Sequence, residues 1–278
     1  MALTINANSG GLFALNQLRD AQKEFASSLE KIATGNRINK ASDDASGMVI
    51  ADSLGSQARG IGQAIANAND AISMSQIADG ALAESTSIIQ DIRVKALQAA
   101  NGSQSPASRQ AIQSDIDKLI GQLDTIAQTT SYNGQKLLAG DFVDRAFQIG
   151  ANAGETVTVS IGSTESTALG DQELGSLSDI NVLTEEGAQA AIQIADTALA
   201  EVNTIRGEIG STQNQLTSTI SNLSTTRINI LSAESSIREV DLAEESMNLS
   251  RLKRISQARA YASVQANEQN NSIIKLLQ

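Results

Sequence analysis

The sequence predicts a mainly α protein: a long antiparallel helical bundle, or coiled-coil rod, carrying a small β-hairpin region. Three observations lead there. Hydrophobic residues make up 41% of the 278-residue chain while aromatics make up 2%, so the apolar content is nearly all Ala, Ile, Leu and Val, which suits slim, close-packed helices. A single proline, Pro106, leaves room for very long uninterrupted helices. Two long stretches of helical periodicity flank one short segment of strand periodicity.

Residues 11–33 place Leu15, Leu18, Phe25, Leu29 and Ile32 at the three-to-four spacing of an amphipathic helix, interrupted once by Gln22. Ser42-Asp43-Asp44 then supplies capping side chains. A stripe of Ile50, Leu54, Ala58, Ile61, Ile65, Ala68 and Ile72 follows. It slips phase near Met74–Ile77 and resumes through Leu82, Ile88, Ile92 and Ala96, a pattern that alters supercoiling without ending a helix. Asn101-Gly102 reads as a stop, and Ser105-Pro106 as a cap with proline in the first turn. Ile112, Ile116, Leu119, Leu123 and Ile126 form the seam of a shorter helix folded back by a turn.

Residues 129–181 change character. Ser131-Tyr-Asn-Gly134 signals a hairpin turn, and Phe147/Ile149 alternate like Val157/Val159/Ile161 across Asn152-Ala-Gly154. The remainder, to about Ser178, is rich in Ser, Thr and Gly and reads as solvated loop, with glycosylation as the sharper alternative. From Thr184 a second long helix keeps Ala195, Val202, Ile209, Leu216, Leu223, Ile230 and Ile237 on one seam. Its alternate seam positions include Arg206, Gln213, Arg227 and Glu234; the first three fix register or reach solvent, with binding to neighbouring subunits as the sharper alternative. Residues 238–278 form a last helix.

The composition excludes much chemistry. With no His and no Cys there is no imidazole base, no thiol nucleophile and no ordinary zinc site. An enzyme is not expected, nor a cofactor, a catalytic residue or a metal. No run of about 18 apolar residues appears, so no membrane span is expected, and the start lacks the pattern of a cleaved signal peptide. The net charge is −11, unevenly placed. Residues 1–40 carry five basic and three acidic groups and residues 238–278 six and five, which leaves nine basic against 23 acidic between them. Nucleic acid is therefore not an expected partner.

The layout is near-palindromic. The two long helices pair with each other, and the terminal helices extend beyond that pair with few partners in a single copy. Such exposed amphipathic ends imply burial against copies of the same chain. The expected core-packing residues are Leu15, Leu18, Phe25, Leu29, Ile32, Leu252, Ile255, Ile273 and Leu276. The expected division is a terminal core helix at 1–43, a rod at 44–237 with its β region near 129–181, and a second core helix at 238–278.

Several motifs resemble those of bacterial flagellins. Ser27-Ser-Leu-Glu-Lys-Ile-Ala-Thr-Gly-Asn-Arg-Ile-Asn39 and Ser42-Asp-Asp-Ala-Ser-Gly-Met-Val-Ile-Ala-Asp-Ser-Leu54 are similar to the family's N-terminal signatures. Thr129-Thr-Ser-Tyr-Asn-Gly-Gln-Lys-Leu-Leu138 is similar to its hairpin, and Asp241–Glu245, Asn248–Ser250, Gln265–Asn267 and Leu276-Leu277 fall where the family has such groups. The resemblance implies an extracellular flagellar filament subunit with a short variable region. It implies export through the flagellar type III apparatus without a cleaved signal, a cytoplasmic export chaperone on the C-terminal helix, and contact with filament cap and junction proteins. The hook–filament junction protein, of the same architecture, is the alternative. A cytoplasmic coiled-coil adaptor is a third reading.

One stretch departs from the family. Its receptor-recognition run, L-Q-R-x-R-x-L-A, is here Ile89-Gln90-Asp91-Ile92-Arg93-Val94-Lys95-Ala96, with Asp115 where Glu is usual. Gln90 and Arg93 are kept, whereas Asp91 reverses a charge and Lys95 removes an apolar contact. Weak activation of the innate flagellin receptor is expected.

Overall fold

The computed structural model describes residues 9–171 and 173–276, with side chains undescribed at 269–271 and 273–276. Five helices account for most of it: α1 (Ser9–Thr34), α2 (Ala45–Ala99), α3 (Pro106–Thr129), α4 (Glu185–Arg238) and α5 (Leu242–Leu276). The protein is mainly α, as expected, and α2 runs unbroken through the phase slip at Met74–Ile77. The chain divides into two compact units, residues 59–227 and residues 1–58 with 228–278.

The 59–227 unit holds the hydrophobic core. Its α2 and α4 segments run antiparallel, as the pairs Arg93–Asp196 and Asp79–Arg206 require, the latter at 2.8 Å. Met74, Leu82, Ile89, Ile92, Ile116, Leu123 and Ile209 are essentially solvent-free among them. Ser105 caps α3 by accepting from the Ser108 amide at 3.1 Å, with Pro106 in the first turn, where its missing N–H is no loss.

Three two-stranded antiparallel ladders follow α3. Strands β1 (Ser131–Tyr132) and β2 (Gln135–Lys136) meet at Asn133-Gly134, whose φ values of 49° and 78° give the turn with two left-handed residues that matches strand twist. Strands β3 (Arg145–Gln148) and β4 (Thr156–Val159) pair Phe147 with Val157. Polar helix side chains anchor these segments. Asn67 donates to the Gln148 carbonyl at 2.9 Å, Asp124 accepts from the amide and hydroxyl of Ser166, and Gln113 bridges Ile180 O and Val182 N.

The stretch expected to be solvated loop is instead packed. It contains β5 (Gly170–Asp171), β6 (Gly175–Ser176) and one 3₁₀ turn at Leu177–Asp179. Thr164, Ser166, Leu169 and Leu177 are all buried. The reading erred because isolated Leu residues in a Ser/Thr-rich segment carry no periodicity. Glu201 holds the segment by accepting from Gly170 N at 3.2 Å.

The terminal unit is built differently. α1 lies against α5, antiparallel, with a hydrogen bond from Ser28 to Glu245 and one from Arg259 to the Gln17 carbonyl at 2.9 Å. Gly35, at φ 73°, ends α1 in the left-handed conformation favoured at a helix C-terminus. The two interhelix links are stitched together: Arg37 N donates to Arg238 O at 2.6 Å, Val240 N to Gly35 O at 3.0 Å, and the Arg37 guanidinium to Ile237 O at 2.7 Å. The Ser42-Asp43-Asp44 motif works as a cap. Asp43 accepts from the amides of Asn39 and Lys40, and Asp44 from Gly47 N at 2.9 Å. The Lys40 and Asn39 amides hold the Asp43 carboxyl below the usual carboxylate range. Asp241 caps α5 through Ala243 N and Glu244 N.

Candidate self-assembly surface

A helix buries its apolar stripe or leaves it in water, and the two units differ sharply in which they do. Among the described residues of the terminal unit, the buried hydrophobic ones are Ala21, Ile38, Ala51, Ala58 and Leu252. The helices touch through small groups, with Gly11, Ala21 and Ser28 forming the buried side of α1.

The larger side chains point outward. On α1, Leu12 and Phe13 are 61% and 67% exposed. On α5, Met247 and Tyr261 reach 69% and 75%. Val49, Ile50, Ile228, Leu231, Leu242 and Val264 are exposed as well. Among the described residues, most of the large exposed apolar side chains belong to this unit.

The residues expected to pack the filament core divide accordingly. Leu15 and Leu29 are exposed, Leu18, Phe25, Ile32 and Ile255 are half-buried, and Leu252 is buried against α1. The side chains of Ile273 and Leu276 lie outside the described residues. Sequence reasoning missed Leu12, Phe13, Met247, Tyr261 and Val264. Met247 and Tyr261 lie outside the inward stripe, and their signal was a second, outward repeat on the same helix. Ile50 was read as part of an inward stripe; Ala51 takes that place, and Ile50 is exposed.

The receptor-like stretch lies on α2 in the other unit. Ile89 is fully buried. Gln90 and Asp91 are exposed. Arg93 is tied to Asp196, and Lys95 donates to Asp115 at 2.8 Å, which draws the Asp115 carboxyl below its ordinary range.

A 420 Å³ surface cleft beside β3 is lined by Met74, Tyr132, Phe142, Asp144, Arg145 and Phe147, with Arg145 stacked 5.9 Å over Phe142. Among the described residues no cluster of carboxylates has the form of a metal site, and no helix is long and apolar enough to cross a membrane.

Comparison with known proteins agrees with this architecture. Residues 5–143 match the bacterial flagellin N-terminal helical region, and residues 192–277 the bacterial flagellin C-terminal helical region. Flagellin B of Helicobacter pylori (strain ATCC 700392 / 26695) is 47% identical over 196 residues, covering 70% of this chain and 38% of that protein. Flagellin E of Vibrio cholerae (strain ATCC 39315 / El Tor Inaba N16961) is 46% identical over 178 residues, covering 64% of this chain and 46% of that one. The match thus spans less than half the length of these relatives. A solved structure of a putative flagellar hook-associated protein from Vibrio parahaemolyticus shares the fold, with a TM-score of 0.59 over 71% of this chain and 100% of that chain at 16% identity. With both helical regions matched across most of its length, the chain belongs to the bacterial flagellin family.

Proposed function

We propose that this chain is the self-assembling subunit of an extracellular bacterial flagellar filament, serving motility and not catalysis. The observation that carries the reading is the terminal unit: long, well-formed helices with large apolar side chains facing water and hardly any core of their own. Each half-exposed Leu, Ile, Phe or Met gains on the order of 1 kcal/mol when neighbouring copies cover it. Ten such groups give about 10 kcal/mol, which is on the scale of the roughly 4–15 kcal/mol that association costs.

In this reading residues 1–43 and 238–278 form the filament core and 44–237 the rod around it. Leu15, Leu18, Phe25, Leu29, Ile32, Leu252, Ile255, Ile273 and Leu276 pack between copies. The same exposed α5 makes the C-terminal helix the surface for a cytoplasmic export chaperone. Export runs through the flagellar type III apparatus, and the cap and junction proteins meet the filament ends. The hook–filament junction protein is the second reading, favoured by the fold shared with the hook-associated structure; copy number in isolated flagella separates the two.

The test is seeded polymerisation of the purified full chain followed by electron microscopy. Hollow filaments are expected. A chain that stays monomeric at high concentration, with α1 and α5 protected from amide exchange, would overturn the reading. For the receptor-like stretch the proposal is weak activation of the innate flagellin receptor, since Ile89 is inaccessible and Arg93 and Lys95 are engaged in ion pairs. Full potency in a reporter-cell assay would refute it.

A further inference from the structure

Two Asn-Gly dipeptides occur in the chain, Asn101-Gly102 and Asn133-Gly134. Asparagine followed by glycine is the setting in which a backbone nitrogen reaches the preceding side chain, because glycine has no Cβ to shield that nitrogen. All four residues are exposed, yet the fold holds the two pairs in opposite ways.

Asn101-Gly102 lies in the link between α2 and α3. The Asn101 side-chain carbonyl accepts from the Ser103 amide at 3.0 Å, an Asx turn that folds the side chain forward along the backbone and draws electron density from Cγ. Among the described residues, neither Asn101 Nδ2 nor the Gly102 backbone nitrogen makes a hydrogen bond. Nothing lies within 4 Å of a Cβ added at Gly102, so the surroundings leave the nitrogen open. The other pair is locked. Asn133 and Gly134 close the β1–β2 ladder, with Tyr132 paired to Gln135 and φ at 49° on Asn133. Joining a backbone nitrogen to the preceding Cγ makes a five-membered ring, which requires Cβ and that nitrogen nearly eclipsed about the Cα–C bond. The left-handed conformation sets them nearly opposite, so Asn133 reacts only after the hairpin opens.

We propose that Asn101 is a site of spontaneous deamidation and that the hairpin protects Asn133. Hydroxide takes the proton of the Gly102 amide, and the nitrogen bonds to Asn101 Cγ. The Cγ–Nδ2 bond breaks, and Nδ2 leaves as ammonia after taking a proton from water, which restores the hydroxide. One water then opens the cyclic imide at either carbonyl. One opening yields aspartate, and the other yields isoaspartate, whose main chain runs through the former side-chain methylene. Either product places a carboxylate beyond the C-terminus of α2, where the helix dipole disfavours it. It does so in a segment, residues 41–237, that already carries nine basic against 23 acidic groups. Isoaspartate also moves the carbonyl that accepts the Gln104 amide at 3.1 Å. The modification needs no enzyme and no partner, is separate from the assembly reading, and marks the age of each copy.

The experiment incubates the full chain in heavy-oxygen water at neutral and mildly alkaline pH. Peptide mapping by mass spectrometry locates the change, and enzymatic methylation detects isoaspartate. The Asn101 peptide is expected to exchange one NH for one heavy oxygen, to contain isoaspartate, and to convert faster as pH rises. Asn133 is expected to convert at least about tenfold more slowly, since its reaction waits on local opening. In urea the two rates are expected to converge. Gly102→Ala, whose Cβ shields the nitrogen, is expected to slow conversion at Asn101 with far-UV circular dichroism unchanged. Asn133 converting as fast as Asn101 in the folded chain overturns the proposal, as does an Asn101 that reacts only in urea. Conversion to aspartate alone, or at an equal rate in Gly102→Ala, also overturns it, because direct hydrolysis would then be the route. None of these readouts depends on polymerisation, so the filament reading stands or falls separately.

Discussion

Gly47 sits in the first turn of α2, and its absent side chain is part of the cap. A Cβ there would lie 2.5 Å from Asp44 Oδ2 and 2.8 Å from Ile38 Cδ1. Asp44 accepts the Gly47 amide at 2.9 Å, and Ile38 is 5% exposed. Gly47→Ala must displace the capping carboxylate or lift Ile38 from its contact. Losing the cap costs about 1 kcal/mol, and crowding a packed aliphatic about 1–3 kcal/mol. Alanine's helix propensity returns about 1 kcal/mol. With both neighbours disturbed, the net expectation is a loss of about 1–3 kcal/mol. Gly80→Ala is the control, because nothing lies within 4 Å of its added Cβ. There propensity acts alone, for a gain of about 0.5–1 kcal/mol. Urea unfolding followed by far-UV circular dichroism reads both, and amide exchange at Gly47 reports the cap directly. The Gly47→Ala midpoint falls and its amide exchanges faster, while the Gly80→Ala midpoint rises. Equal gains for the two variants would refute the steric account of the motif.

Leu123, with no exposed surface in the core of the 59–227 unit, is expected to cost about 2–5 kcal/mol as Leu123→Ala, read as a lowered urea midpoint. Tyr261→Ala, at 75% exposure, is expected to leave monomer stability within about 0.5 kcal/mol while impairing seeded elongation, which separates folding from assembly. Asp43 provides a pH dependence. Its carboxyl lies below the ordinary range because the Lys40 and Asn39 amides donate to it. The stabilisation of the 35–44 link is therefore present above the unfolded aspartate value of about 3.9 and is lost as pH falls through the lower folded value. Exchange of the Asn39 and Lys40 amides should accelerate on that acid side, and Asp43→Asn should flatten the response.

Where periodicity was continuous, the fold was legible. Helices α2 and α3 begin within a residue or two of their capping signals at Asp44 and Ser105, because the residues that cap them also break the apolar pattern. Asn133-Gly134 was readable for the same reason, since two adjacent left-handed residues leave few alternatives. The packed stretch from Thr164 to Leu177 was not readable. Its burial is fixed by contacts with α3 and α4 made by Asp124 and Glu201, more than thirty residues away in sequence. The assembly surface was half-legible. The helices and their amphipathic character were plain, but which side of α5 meets α1 depends on Leu252 and Ser263 docking, and a serine gives no apolar signal.

The polar residues in the long-helix seam acquire a reason from their partners. A seam of Ala, Ile, Leu and Val alone repeats every heptad and would tolerate a seven-residue slip. Here Arg206 is met by Asp79 at 2.8 Å, and a slip would set it against Ile72 or Thr86. Arg227 and Glu234, one heptad apart, each face a glycine. A Cβ on Gly62 would stand 3.7 Å from the Arg227 guanidinium, and one on Gly55 3.0 Å from a Glu234 oxygen. The glycines thus make room for long polar side chains at two levels. Each helix has its exceptions where the other accommodates them, so a single register satisfies both. Opposed rows of half-exposed charges add little stability, since such pairs contribute about 0–1 kcal/mol each. What they supply is discrimination between registers, which a subunit built of repeating heptads needs if each copy is to present its outward faces at the same height.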